Sequence, residues 1–248
     1  MARVLVLQHV AAEPLGVLDP MLRSRGHRIR YVNFARDPEA QPRLERYQAL
    51  IVLGGPMQVA QQHRYPHLLT ECRLIERALH DEIPMLGICL GGQLLAHVLG
   101  GRVGPCSRAE IGWYPIRPTE GTVHDRVLNP LTAAHPVFQW HHWGFDCPTD
   151  ARSLAESDDS GCQAFAVDQT AWGFQFHLEL DQRLIHRWLT LPAYRDDLAG
   201  AGLSQTPEDI ANDTRQHLPN ALRLADRVFS NWLDTLDAPS QRLVLASR

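Results

Sequence analysis

The chain contains no lysine; its 24 basic residues are all arginine. That absence removes several chemistries at once. A P-loop needs a lysine on the nucleotide phosphates, pyridoxal phosphate needs one for its Schiff base, and Ser-Lys hydrolases need one as base. A Ser-Gly-Gly-rich phosphate loop of the ATP-pyrophosphatase kind is also missing, so this chain is not expected to activate an acceptor with ATP by itself. The five cysteines, Cys72, Cys89, Cys106, Cys147 and Cys162, are odd in number and show no C-x-x-C spacing. They argue against a disulfide framework or a zinc site and for a reducing, cytoplasmic setting. There is no H-E-x-x-H spacing, so no metal and no cofactor is expected. No apolar run is long enough to cross a membrane, and Met1–Gln8 reads as a first strand rather than a leader. No basic stripe or block of like charge points to nucleic acid or membrane.

What is present fits an ordinary globular protein: 248 residues, 44% hydrophobic, formal net charge −4. Repeats, low-complexity tracts and dividing linkers are missing, so residues 1–248 read as one domain. Its core spans about 1–180, with a helical extension over 181–236 and a loose tail over 237–248. Strands are expected at Val4–Gln8, Arg28–Asn33, Ala49–Leu53 and Pro84–Ile88, with helices at Gly16–Ser24, Leu68–His80 and Leu90–Leu99. This βαβ rhythm predicts an α/β fold, an open and mostly parallel sheet with helices on both faces. The stretch 102–167 is richer in Pro, Gly and short alternating runs, and predicts short strands and turns. Helices follow at Gln182–Leu189, Ala193–Ala199, Pro207–His217 and Pro219–Leu236. Thr206 is the expected cap of the third, with Pro207 in its first turn.

The most informative stretch is Gly87-Ile88-Cys89-Leu90-Gly91, between an apolar strand and an amphipathic helix. It is the thiol version of the G-x-S-x-G nucleophile elbow. Glycines flank the apex because the turn crowds the backbone. The apex places Cys89 at a helix N-terminus, where free N–H groups and the helix dipole favour thiolate. A nucleophile needs a base, and the base an orienting group. Ala171–Phe176 reads as a strand that delivers His177, and residues two apart on a strand share a face, so Glu179 can lie beside the imidazole. Singly, a buried cysteine and a His-x-Glu are common structural residues. Together with the elbow they point to a Cys89–His177–Glu179 triad.

Gly-Ile-Cys-Leu-Gly-Gly-Gln (87–93) and Gly-Phe-Gln-Phe-His-Leu-Glu (173–179) resemble the two signatures of the class I glutamine amidotransferases. Leu53-Gly54-Gly55-Pro56-Met57 resembles the family's oxyanion loop. Glu110-Ile111-Gly112-Trp113 and Gln163-Ala164-Phe165 resemble the glutaminase half of GMP synthase, in the free-standing GMP synthase-like branch. The resemblance covers about residues 1–235 and implies a flavodoxin-like sheet of the class I amidotransferase type. It implies a thioester mechanism on the glutamine side-chain amide, with the N–H groups of Gly55 and Leu90 as oxyanion donors and Gly54 giving close backbone approach. It also implies substrate binding by Gln93, whose alternative is a surface helix glutamine.

One loop departs from that pattern. Trp140-His141-His142-Trp143-Gly144-Phe145-Asp146 falls where relatives tend to read Trp-His-Gly-Asp-Thr-Phe, the loop that holds the α-amino and α-carboxylate groups of glutamine. His142 and Trp143 bring bulk where the family has glycine and aspartate, which predicts either an altered γ-glutamyl or amide substrate or plain packing. His141 and His142 face opposite ways on a strand and cannot both serve one site. His9 follows the first strand, as a pocket residue or a polar loop residue, and His97 is expected to pack on the sheet. Three functions follow: a glutaminase that passes ammonia to a separate synthetase, a stand-alone γ-glutamyl hydrolase or peptidase, and a non-catalytic regulatory module on the same fold.

Overall fold

Val4–Leu7 is apolar at every position, the pattern of a strand covered on both faces. It forms the centre of β1 (Arg3–Gln8) in the computed structural model, which describes residues 1–237. The expected tail lies outside the described residues except for Asp237, which closes the last helix. β2 (Arg28–Asn33), β3 (Ala49–Val52) and β4 (Met85–Ile88) follow, then β5 (Val103–Pro118), β6 (His135–Phe145), β7 (Arg152–Ser157), β8 (Gly161–Val167) and β9 (Ala171–Phe174). The sheet order is β2-β1-β3-β4-β9-β8-β7-β5-β6. The first five strands in that order run parallel. The remaining pairings are antiparallel.

Helices cover both faces of the parallel half, and the alternation along its strands shows how. Val4, Val6, Ala49 and Ile51 pack with Leu18 and Leu22 of α1 (Leu18–Ser24). Leu5, Leu7, Leu50 and Val52 turn to the other face, against α2 (His67–His80) and α3 (Leu90–Val98). Successive side chains point to opposite sides of a strand, so one run of apolar residues serves two cores. A third cluster joins α4 (Gln182–Thr190), α5 (Pro192–Gly200) and the first half of α6 (Pro207–Asp237) to Ile111 and Trp113 of β5 and Phe138 and Trp140 of β6.

Several expectations need correction. The stretch 102–167 is only in part a set of short strands: β7 and β8 have 6 and 7 residues, but β5 has 16 and β6 has 11, in one long ladder. A register break between Pro105 and Glu110 absorbs the irregular residues, and Pro115 faces Pro136 where neither position can donate to the ladder. The helices expected on either side of Pro219 are one continuous α6. Losing one N–H does not break it, because Leu218, Ala221, Leu224 and Ala225 bury a common face across the proline. The first helix begins at Leu18 rather than Gly16, whose φ of +53° is left-handed. At Thr206 the hydroxyl accepts from Asp209 N (3.2 Å) and Asp209 Oδ2 accepts from Thr206 N (2.9 Å), a reciprocal cap.

Candidate functional site

β4 runs straight into α3 with one residue, Cys89, between them. Cys89 has φ +51° and ψ −108°, and its N–H donates to Phe174 O at 2.7 Å. A non-glycine residue in that region is strained and persists only where its surroundings hold it. The surroundings are backbone. A Cβ on Gly87 would lie 2.4 Å from Gly91 O, and one on Gly91 would lie 2.0 Å from Val52 O. The glycines thus let the helix start press against β3 and β4 with the sulfur at its tip.

The imidazole arrives by a different route from the one expected. β9 ends at Phe174, so His177 and Glu179 are not set by the pleat of that strand. Instead His177 forms an isolated bridge to Phe138 of β6, with His177 N donating to Phe138 O at 2.9 Å. The ring stands edge-on to Trp188, centroids 5.1 Å apart. Nδ1 lies 2.6 Å from Glu179 Oε1, and both side chains are buried. Glu179 is itself fixed from behind: its carbonyl accepts from Val17 N at 2.8 Å, and a Cβ on Gly16 would lie 1.8 Å from the same oxygen. Burial opposes a charge on His177, but Glu179 and the neighbouring Cys89 sulfur outweigh it and hold the imidazole well above its ordinary value.

Two backbone donors are left without partners. Neither Gly55 N–H nor Leu90 N–H donates to an acceptor among the described residues. Gly54 and Gly55 follow β3 and are hemmed closely. A Cβ on Gly54 would meet Glu13 Oε2 at 2.2 Å and His177 Cε1 at 3.2 Å, and one on Gly55 would meet His9 Cβ at 2.7 Å.

The site opens into a cleft of about 980 Å³ that includes Cys89, Gly55, Gln93, His141, His142, Trp143 and His177. Gln93 is buried in the cleft floor, not on an open helix surface, and its amide is engaged: Nε2 donates to Trp143 O at 2.8 Å and Gln175 Oε1 at 3.2 Å. It therefore ties the Trp143 loop to α3. His141 and His142 do face apart. His141 turns inward, with Nε2 3.0 Å from Glu110 Oε2, whereas His142 is half-buried with Nε2 3.0 Å from Asp197 Oδ1. His97 is exposed rather than packed on the sheet. His9 is fully buried behind Gly55, in the bend just after β1 and not on the cleft wall.

The sequence profile of the family described as "Glutamine amidotransferase class-I" matches residues 16–189, more than two-thirds of the chain. The chain belongs to that family. Among relatives, it is 29% identical over 184 residues to the glutamine amidotransferase-like protein YfeJ of Salmonella typhimurium, covering 71% of this chain and 75% of that one. It is 30% identical over 208 residues to the glutamine-hydrolysing GMP synthase of Thermus thermophilus, covering 81% of this chain but only 38% of that longer enzyme. Among solved structures, a glutamine amidotransferase from Thermotoga maritima superposes with a TM-score of 0.82 at 31% identity, covering 96% of this chain and 98% of that one. One from Methylobacillus flagellatus gives 0.84 at 25%, covering 94% of each.

In this class I amidotransferase the sequence reading passed over part of the cleft. Glu13, Trp140, Trp188, Tyr194 and Asp197 all line it. Tyr194 OH donates to Glu13 Oε1 at 2.8 Å, and Trp140 Nε1 donates to Asp197 Oδ2 at 2.8 Å. Tyr194 and Asp197 lie on α5, far along the chain from the elbow, and no motif marks them. Glu13 had one available signal, its place just beyond the carboxyl end of β1, where open α/β sheets hold ligands.

Proposed function

We propose that the protein is a cysteine-dependent amide hydrolase acting on the side-chain amide of glutamine, with the ammonia consumed by a separate acceptor or synthetase. Cys89 gives its proton to His177 and attacks the amide carbon. Gly55 N–H and Leu90 N–H receive the oxyanion, each contributing about 3 kcal/mol to the transition state. His177 returns a proton to the leaving nitrogen as the carbon–nitrogen bond breaks, which leaves a thioester on Cys89. His177 then takes a proton from water, the hydroxide cleaves the thioester, and the acid departs. The observation that supports this reading is a strained helix-tip cysteine and a carboxylate-braced imidazole lining one cleft with Gly55, while the N–H groups of Gly55 and Leu90 have no partner among the described residues. The test is ammonia release from a panel of glutamine and γ-glutamyl donors, with and without cell extract. Release from glutamine that rises with extract supports it; no release from any donor overturns it.

A stand-alone γ-glutamyl hydrolase is the second reading. It is favoured by the cleft, which has the size of sites that take drug-sized ligands and is walled by Trp140, Trp143, Trp188 and Tyr194. That reading predicts release from a larger γ-glutamyl amide that is indifferent to extract.

The pH profile follows from His177. Its folded-state pKa is raised, so the imidazolium survives at pH values where an ordinary imidazole, near 6.5, has lost its proton. The groups that face it are Glu179, Cys89 and Glu13. The alkaline limb of turnover is therefore expected well above pH 6.5. In Glu179→Gln the limb should move down in pH and turnover should fall by about 10²-fold. An unmoved limb would mean that Glu179 does not support the charge.

A further inference from the structure

His9 stands at the end of β1, behind the Gly54–Gly55 turn. Its Nδ1 lies 2.8 Å from Gly54 O and its Nε2 lies 2.9 Å from Glu71 Oε2. A carbonyl oxygen can only accept, and so can an ionised carboxylate, so both ring nitrogens must carry protons. The other oxygen of Glu71 lies 2.8 Å from His67 Nδ1, and Phe34 stacks on the His67 ring at 4.7 Å. The three polar side chains are buried. Burial opposes charge on both His9 and Glu71, yet their mutual attraction, with help from His67 on Glu71, holds His9 above and Glu71 below their ordinary values. The charged or titratable groups that face His9 are Glu71 and His67 from α2 and Glu13 from the loop after β1. Donor atoms of His9, His67 and Glu71 lie within 4.8 Å of one another, but a doubly protonated His9 has no lone pair for a metal.

The carbonyl and N–H of a trans peptide point in opposite directions, and no described peptide is cis. The bond that draws Gly54 O back to His9 thus turns Gly55 N–H forward to the cleft. Neither glycine has a side chain to resist rotation of that peptide, so its orientation needs an outside anchor. We propose that the His9 imidazolium, paired with Glu71, is a latch that fixes the Gly54–Gly55 peptide in its oxyanion-binding orientation, which makes His9 a positioning residue. The proposal rests on the reading of Gly55 N–H as an oxyanion donor.

The test compares wild type with His9→Asn and Glu71→Gln on whichever amide donor wild type hydrolyses. For His9→Asn, kcat is expected to fall about 10²-fold with KM held within about threefold, the pattern of a lost transition-state contact. Alkylation of Cys89 by iodoacetamide forms no oxyanion and should keep its rate. Glu71→Gln should retain kcat at low pH and lose it at a lower pH than wild type. In wild-type protein, ¹⁵N spectra of the histidine rings should show both His9 nitrogens protonated at pH 8. Full kcat in folded His9→Asn, an equal fall in alkylation, or a bare His9 nitrogen at pH 8 would overturn the latch. If wild type hydrolyses no donor, the proposed function fails separately, and the ring spectrum of the unmodified protein still decides the state of His9.

Discussion

Cys89→Ser should lose amide hydrolysis by at least about 10⁴-fold while remaining folded. Serine conserves the shape of the strained elbow, so φ +51° and the hydrogen bond from residue 89 N to Phe174 O can persist. What changes is the reacting atom. A serine hydroxyl ionises several units above a thiol, and His177 is tuned by its contact with sulfur and by Glu179. The control is labelling. Iodoacetamide should modify Cys89 in wild type ahead of the other four cysteines and should not touch residue 89 in the variant. Burial pushes Cys72 up to about 11 and also raises Cys106. Cys162 is raised by its hydrogen-bonding neighbour Cys147 and by burial, and the same contact lowers Cys147, which makes Cys147 the competing site. Equal ammonia release from wild type and Cys89→Ser would end the catalytic reading, and uniform labelling would remove the case for an activated sulfur.

Gly91→Ala should be strongly damaging to the parallel half of the sheet. The added carbon would sit 2.0 Å from Val52 O and 2.9 Å from Val52 Cβ. The obstacle is the backbone of a central strand and cannot swing aside, so α3 must lift off β3. The expected loss is about 3 kcal/mol, or roughly 6–12 °C in Tm for a chain of this size. Lifting α3 also moves Cys89 and Leu90 N–H, so turnover should collapse in whatever fraction remains folded. Gly104→Ala is the matching control, because a Cβ there meets nothing within 4 Å. Its melting temperature should stay close to wild type. Similar Tm values for Gly91→Ala and Gly104→Ala would show that the elbow is less tightly packed than the contacts imply.

The elbow glycines Gly87 and Gly91 also mark what a sequence reveals. The elbow was legible because a strand, a tight turn and a helix each leave a local pattern, and Gly87 and Gly91 stand where the turn must be bare. The parallel strands were legible because β1 is apolar on both faces. The middle of the chain was not. Prolines and glycines in 102–167 suggested interruption, yet the ladder of β5 and β6 hides them at a register break and at the facing pair Pro115 and Pro136. Pro219 misled in the same direction, because a helix that is buried on both sides of a proline need not stop there. His177 and Glu179 were picked out, but the strand thought to deliver them ends two residues early, at Phe174, and a bridge from β6 does the work instead. His9 was misjudged because its partner lies 62 residues away. The available sign was Glu71, a charge on the apolar stripe of α2 between Leu68 and Leu74.

The family profile ends at Leu189, whereas Tyr194 and Asp197 lie on α5, beyond that end. Part of the cleft wall is thus written outside the stretch that carries Cys89, His177 and Glu179. Drift in that outer portion can reshape the cleft while those three residues stay the same. A graft of another relative's α5 onto this chain would be the direct way to recut that wall without touching them.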